Sequence, residues 1–201
     1  NPASNRLIES VNEGGGGAEL RLVDPFLGQY LTPNSGSLPS GGVTHPAWSP
    51  DGRWLAYVAN IATWGGENTT GDIWKLPVTG TVAFGAPEVV ITGTTAPGLP
   101  GGSAASYPSW TPDSQRIAFA HGSSSRSESG ASALYIVGAD GRGVVRLDRA
   151  CGGAATQDNF QPRFSPFAQD GYFWMSFLSR RDYGNERAGT RGQARQQIWV
   201  S

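Results

Sequence analysis

The chain has 201 residues, of which 15 are lysine or arginine and 16 are aspartate or glutamate, so its formal net charge is −1 at neutral pH. This balance excludes the strongly basic surface with which proteins bind nucleic acids or anionic membranes. The 29 glycines and 14 prolines indicate many turns and argue against a helical protein. The single cysteine excludes an internal disulfide, and no apolar run approaches the roughly 20 residues of a membrane-spanning helix.

Residues 1–17 precede the first predicted strand and include a run of glycines at 14–17. No lysine followed by serine or threonine comes after this run, so it lacks the features of a phosphate-binding loop. We predict a glycine-rich linker or the end of a preceding repeat unit. The next apolar segments, Glu19–Asp24 and residues 29–32, are predicted strands of an earlier unit whose first two strands we expect upstream or in another chain.

One pattern occurs three times, at a period far longer than that of a helix or a hairpin. It reads HPAWSPDGRWLAY at 45–57, YPSWTPDSQRIAF at 107–119 and, more loosely, QPRFSP at 161–166. Self-similarity of this kind indicates a repeat architecture. The prolines that open the copies lie 62 and 54 residues apart, farther than the about 40–45 residues of a compact repeat. The extra residues therefore predict long loops.

Each copy predicts a short strand, a tight turn and a second strand. We expect the first strand of each copy to point one aromatic side chain inward between sheets. This residue is Trp48 in the first copy, Trp110 in the second and Phe164 in the third. Proline, aspartate and glycine favour the turn, because proline presets φ and glycine accepts a positive φ. The second strands, 54–58 and 117–120, are nearly continuous apolar runs and therefore suit burial on both faces.

Two copies depart from this turn. Ser114 replaces the expected glycine, which predicts strain or another turn type, and residues 167–169 form an insertion in the third copy. Further strands follow each copy, and Asp140-Gly141 is a strong hairpin signal between two of them. The predicted third strands are residues 72–78, 133–137 and 197–200, and the predicted fourth strands are residues 88–92 and 144–147.

Four antiparallel strands in each repeat predict an all-β protein built from β-propeller blades. The pattern P-x-W-S-P-D-G-x-x-L-A-Y, followed by I-W-x-L, resembles the WD-like repeat of TolB-type propellers over residues 18–201, with openings near 45, 107 and 161. Residues 172–184 also resemble the C-terminal blades of larger bacterial secreted or lipoprotein-like members of that group. Since propellers close with about 4 to 8 blades, the roughly three blades predict an incomplete arc of a larger propeller.

The long loops predict a binding surface. Loops that connect second to third strands, and those between blades, lie together on the face opposite the short turns, and function concentrates on such loops. We expect partner contacts to centre on residues 61–71 and 179–196. For the second of these loops an equal alternative to partner binding is a structural role, in which its arginines pin the loop to a neighbouring blade. The candidate partner-binding residues are Trp64, Asn68, Arg180, Arg181, Asp182 and Tyr183.

No catalytic or metal constellation is visible in the sequence. His45 takes the place of Tyr107 and Gln161 in the repeat and is interpreted as the start of a strand, and His121 as a surface residue at a loop. No G-x-S-x-G elbow is present, and two histidines and one cysteine form no zinc spacing. Residues 67–72 offer oxygen ligands for calcium or form a solvated turn. Cys151 is interpreted as a reactive free thiol, as one half of an intermolecular disulfide, or as a residue without a functional role.

We therefore predict no cofactor, with calcium as the one candidate. The predicted function is a non-enzymatic protein-interaction or scaffolding module of an exported bacterial protein. Its expected location is periplasmic, extracellular or at the cell surface. Its expected partners are another protein or further blades of the same assembly. The alternative is an accessory propeller of a hydrolase or lyase whose catalytic part lies outside this chain. We also expect that residues 1–201 do not form a closed monomeric ring.

Overall fold

The computed structural model describes residues 2, 5–11, 18–62, 69–101, 104–123, 130–154, 157–181 and 196–201. Within them the chain forms four antiparallel sheets in chain order. The first sheet contains β1 (Leu7–Val11), β2 (Glu19–Asp24) and β3 (Gln29–Leu31); the second contains β4 (Thr44–Trp48), β5 (Trp54–Ala59), β6 (Asp72–Gly80), β7 (Ala83–Phe84) and β8 (Glu88–Ile91). The third contains β9 (Ala104–Trp110), β10 (Arg116–Gly122), β11 (Ser132–Gly138) and β12 (Val145–Arg146); the fourth contains β13 (Asn159–Phe164), β14 (Met175–Ser179) and β15 (Gln197–Val200).

These sheets are the predicted blades, so the all-β class is confirmed. In the second sheet β7 and β8 both pair with β6, so that the fourth strand of this blade is broken into two pieces. One helical turn, α1 (Asp148–Cys151), lies between the third and fourth sheets. In the first sheet β1 pairs with β2. One of the two strands expected upstream of residue 19 is therefore Leu7–Val11, within the segment interpreted as a linker or the end of a preceding blade.

The second strands of the middle blades are buried on both faces, as predicted. In β5, Leu55 and Tyr57 belong to the apolar cluster between the first two sheets, whereas Ala56 and Val58 belong to the cluster between the second and third. All four are at most 2% exposed. Alternate side chains of a strand point to opposite faces, so a strand between two neighbouring blades needs a continuous apolar run.

The inward aromatic residues pack between sheets, and the middle one is the most buried. Trp110 is 3% exposed, lies in the cluster between the second and third sheets and donates from its indole nitrogen to the carbonyl oxygen of Ala47, at 3.1 Å. Trp48 and Phe164 are half-buried and pack against the clusters on either side. The same repeat position therefore joins successive blades.

The turn that lacks glycine has the backbone of a glycine turn. Ser114 has φ of 60°, close to the 71° of Gly52 at the matching position, and a non-glycine residue in this region is strained. Its hydroxyl oxygen accepts a hydrogen bond from the Asp51 backbone nitrogen at 3.1 Å. The strain expected at Ser114 is present, and the serine side chain joins the turns of two neighbouring blades.

Candidate functional site

The first strands of three consecutive blades form the inner edge of the arc. Strands β4, β9 and β13 each lie at the edge of their own sheet, and β9 contacts both of the others. Each strand is interrupted by a register shift against the second strand of its blade. These irregularities include the residue that precedes the proline of each repeat copy, so equivalent side chains from three blades lie along one edge.

The residues at these irregularities share an uncommon backbone conformation. His45, Tyr107 and Gln161 have φ of 49°, 52° and 53°, although none of them is glycine. Each precedes a proline, which itself disfavours helical conformations in the preceding residue. Left-handed non-glycine residues cost of order 1–3 kcal/mol and persist only where the surrounding structure holds them. Their recurrence in three blades makes this edge the strongest candidate for a functional surface.

Two of these side chains are in direct contact across the blades. The rings of His45 and Tyr107 stack with centroids 3.8 Å apart and an interplanar angle of 25°. Both residues and Gln161 are half-buried. Two aromatic rings, one of them a phenol, thus meet at the inner edge, and Gln161 adds an amide at the equivalent position of the next blade. Such groups can combine stacking with hydrogen bonding to a ligand. We call His45, Tyr107 and Gln161 the inner-edge triad.

The other histidine is buried, which corrects its interpretation as a surface residue. His121 is 3% exposed, and its Nε2 donates to the carbonyl oxygen of Gly93 at 2.7 Å. Its ring meets that of Tyr135 edge-on, with centroids 5.6 Å apart. A cavity of about 170 Å³ lies beside it, lined in part by Ser132 and Arg146. Burial lowers the pKa of His121, and the hydrogen bond to Gly93 opposes that shift.

We expect His121 to make the folded state sensitive to acid. The unfolded histidine binds a proton below a pH of about 6.5, whereas the folded residue, whose pKa is lowered, stays neutral to lower pH. The free energy of unfolding should therefore fall as the pH drops below about 6.5, by at most about 1.4 kcal/mol per pH unit. Urea unfolding between pH 5 and 8 measures this slope. The variant His121→Gln should flatten it, and an unchanged slope would assign the acid sensitivity to other groups.

Two candidates of the 179–196 loop, Arg180 and Arg181, are described, and Arg180 is bonded both to the preceding blade and to its own. Arg180 donates from Nη2 to the carbonyl oxygen of Gly130 at 2.6 Å and to Asp158 Oδ1 at 3.0 Å, and its guanidinium lies over the ring of Phe160. This is the pinning arrangement left open by the sequence, because Gly130 belongs to the preceding blade. Binding of a partner by Arg180 stays a prediction.

Arg181 packs against its own blade. Its guanidinium lies over the ring of Trp199, 4.0 Å from the centroid, and its Nε donates to Ser179 Oγ at 3.1 Å. Burial lowers its pKa. The remaining predicted partner-binding residues, Trp64, Asn68, Asp182 and Tyr183, lie outside the described residues.

The calcium candidate is described only in part. Asp72 Oδ1 accepts a hydrogen bond from the backbone nitrogen of Gly93 at 2.8 Å, and Oδ2 accepts one from Asn60 Nδ2 at 2.6 Å. Both carboxylate oxygens of Asp72 therefore hold protein donors, whereas residues 67 and 68 lie outside the described part. Within that part no group of three or more histidine, cysteine, aspartate or glutamate side chains is placed to hold a metal ion.

The cysteine is part of the packing between the third and fourth blades. Cys151 is fully buried, and its Sγ accepts a hydrogen bond from the backbone nitrogen of Leu134 at 3.4 Å. Burial raises the pKa of its thiol. These properties are typical of a structural cysteine rather than a reactive one.

The sequence analysis did not identify the inner-edge triad as a candidate site. It recognised that His45, Tyr107 and Gln161 share one repeat position, but it treated that position only as the start of a strand. A polar or aromatic residue before proline in every copy was the available signal. The stacking of His45 on Tyr107 required the blades to be placed side by side.

Comparison with solved structures finds the same fold in other proteins. TolB from Acinetobacter baumannii matches with a TM-score of 0.58 and 21% identity, over 100% of this chain and 39% of that chain. A putative TolB from Agrobacterium tumefaciens matches with 0.52 and 23%, over 89% of this chain and 51% of that chain. Puromycin hydrolase matches with 0.53 and 16%, over 90% of this chain and 27% of that chain.

No protein-family model and no curated protein matches the chain. The chain spans about half or less of the length of the two TolB structures. Among the described residues, no helix is long and apolar enough to span a bilayer. The antiparallel sheets and the structural similarity together show that the chain has the fold of part of a TolB-like β-propeller.

Proposed function

We propose that the chain is a non-enzymatic part of a β-propeller that binds another protein along its inner edge. The inner-edge triad carries this proposal, because three consecutive blades hold His45, Tyr107 and Gln161 in the same strained conformation. Strained residues of this kind cluster at functional sites. Ring faces and hydrogen-bonding groups at half-buried positions suit the recognition of a polypeptide segment.

The outer sheets support a further partner, namely additional strands of the same assembly. In the second and third sheets, the third strand is covered by β8 or β12. In the fourth sheet the corresponding strand is β15, and its Ile198 and Val200 are 76% and 64% exposed. Among the described residues no strand pairs with the outer edge of β15, and an open strand edge beside exposed apolar side chains is an aggregation hazard. We infer that polypeptide outside the described residues pairs with this edge, and that the whole propeller belongs to an exported bacterial protein, as the resemblance to TolB implies.

The second candidate function is an accessory propeller of a hydrolase or lyase whose catalytic part lies outside this chain. The fold similarity to puromycin hydrolase favours keeping it. In that case the inner edge would face a catalytic domain rather than a separate protein. The two functions differ in what contacts Tyr107.

Photo-crosslinking in cells tests the proposal. We would replace Tyr107 with p-benzoylphenylalanine in the producing bacterium, and make the same replacement at Gln161 as a second inner-edge probe. Tyr30, which is 54% exposed on β3 of the first sheet, is the matched control. We expect a discrete protein adduct from positions 107 and 161 and none from position 30. Adducts that are absent or equal at all positions would contradict the proposal, and an adduct to a catalytic domain would favour the second function.

A further inference from the structure

The connection between β13 and β14 carries an exposed aromatic cluster. Phe167, Tyr172, Phe173 and Trp174 are 75%, 68%, 41% and 45% exposed. The matching connections in the two preceding blades are short polar turns, SPDGR and TPDSQ. Large apolar side chains gathered on one surface element mark interaction sites more often than scattered ones do. We call residues 165–174 the aromatic hairpin.

The backbone of the aromatic hairpin is held by its own hydrogen bonds. Gln169 and Tyr172 exchange both backbone hydrogen bonds, at 3.1 and 2.9 Å. Between them Asp170 and Gly171 have φ of 53° and 79°, which is the positive-φ pair of the two-residue turn that suits a twisted hairpin. The backbone nitrogen of Ser165 also donates to the carbonyl oxygen of Trp174 at 2.8 Å. The aromatic side chains are therefore presented on an ordered element, and little backbone entropy is lost on binding.

The charges around these rings differ from those around other aromatic residues of the chain. Elsewhere, five rings hold an arginine or lysine of the chain against their faces: Tyr30, Trp54, Phe160, Phe177 and Trp199. Within the described residues, no such cation lies over a ring of the aromatic hairpin, and Asp170 forms no ion pair. Residues 165–174 contain no lysine or arginine. Exposed ring faces and a carboxylate at the tip both attract a cation.

We propose that the aromatic hairpin binds a polypeptide segment that carries lysine or arginine beside apolar side chains. The apolar side chains would cover Phe167 and Tyr172, and the cation would meet Asp170 and a ring face. The acidic tip opposes docking to an anionic membrane, which requires basic residues. This surface is separate from the inner-edge triad, because Gln161 lies four residues before the hairpin begins, which is about 13 Å along a strand. It also lies on the face of the short turns, away from the long loops where the sequence predicts partner contacts.

Selection from a phage-displayed library of random peptides tests the proposal with the 201-residue chain. Peptides are selected on the chain after depletion on the Phe167→Ala/Tyr172→Ala variant, and the affinity of one synthetic peptide is then measured. We expect the selected peptides to combine lysine or arginine with apolar residues. Affinity should fall at least about tenfold in the double variant. It should fall about twofold to fivefold in Asp170→Asn, with a weaker dependence on salt.

Phe26→Ala is the matched control, because Phe26 is 80% exposed on a turn of the first sheet, and it should leave the affinity unchanged. Equal affinity for the double variant, or selected peptides without a cationic residue, would overturn the proposal. The proposal would also be overturned if the chain bound neutral phosphatidylcholine vesicles, or formed a dimer in sedimentation, and the double variant did not. The hairpin would then bind a lipid surface or a second copy of the chain. If the double variant fails to fold, hydrogen exchange of the unsubstituted chain is measured with and without the peptide. The peptide should protect residues 165–174, and a lack of protection there would overturn the proposal.

Discussion

Replacing Trp110 with alanine should lower the free energy of unfolding by about 3–5 kcal/mol, the usual range for truncation of a buried aromatic side chain. The tryptophan is 3% exposed and packs between the second and third sheets. Its loss also leaves the carbonyl oxygen of Ala47 without the indole donor that it now has at 3.1 Å. Urea denaturation monitored by circular dichroism measures the effect.

The matched control is Trp48→Ala at the equivalent position of the preceding blade. Trp48 is only half-buried, so its truncation removes less surface from the core and should cost less than that of Trp110. If Trp110→Ala kept full stability but lost binding of a partner, Trp110 would be a binding residue rather than part of the core.

Replacing Arg180 with alanine should cost about 2 kcal/mol, because hydrogen bonds of charged groups contribute about 1.5–3 kcal/mol. The substitution removes two such bonds, to Gly130 and to Asp158, and leaves the Asp158 carboxylate without its cation. The side chains of Arg180 and Asp158 are 17% and 22% exposed, so solvent screens the pair only in part. Thermal and urea unfolding measure the loss.

Arg53→Ala is the control for this pair. Arg53 forms an ion pair with Asp51 at 2.8 Å, but its side chain is 74% exposed, and exposed pairs contribute about 0–1 kcal/mol. If both arginine variants lost equally little stability while Arg180→Ala abolished binding of a partner, Arg180 would act as a contact residue, as its place in the long loop first suggested.

The features that we propose as partner-binding lie on two separate elements of the described chain. The inner-edge triad belongs to the first strands of three blades, and the aromatic hairpin connects β13 to β14. Trp64 and Tyr183, which the sequence predicts as partner-binding residues of the long loops, lie outside the described residues. If both proposals hold, one array of blades presents two separate binding surfaces, which suits the scaffolding role that the sequence predicts.

Much of the fold followed from local chemistry. The spacing of the Pro-Asp turns, the inward aromatics and the apolar second strands predicted the blades, and β5, β6, β10 and β11 lie where these signals put them. The sequence also predicted the hairpin at Asp140-Gly141. There the backbone nitrogen of Gly141 donates to the carbonyl oxygen of Gly138 at 2.9 Å, which closes a tight turn. Turn residues and period-two alternation act within a few residues, so one strand and its nearest neighbour suffice to reveal them.

The sequence by itself therefore determined the class, the repeat and which strand of each of the two middle blades is buried on both faces. Only the tertiary structure decided which side chains meet between blades, because those contacts join residues far apart in the chain; Trp110 and Ala47 are 63 residues apart. The stacking of His45 on Tyr107, the burial of His121 and the pairing of Arg180 with Gly130 all belong to this second kind. Each depends on how neighbouring sheets are stacked, and no local pattern of residues encodes that placement.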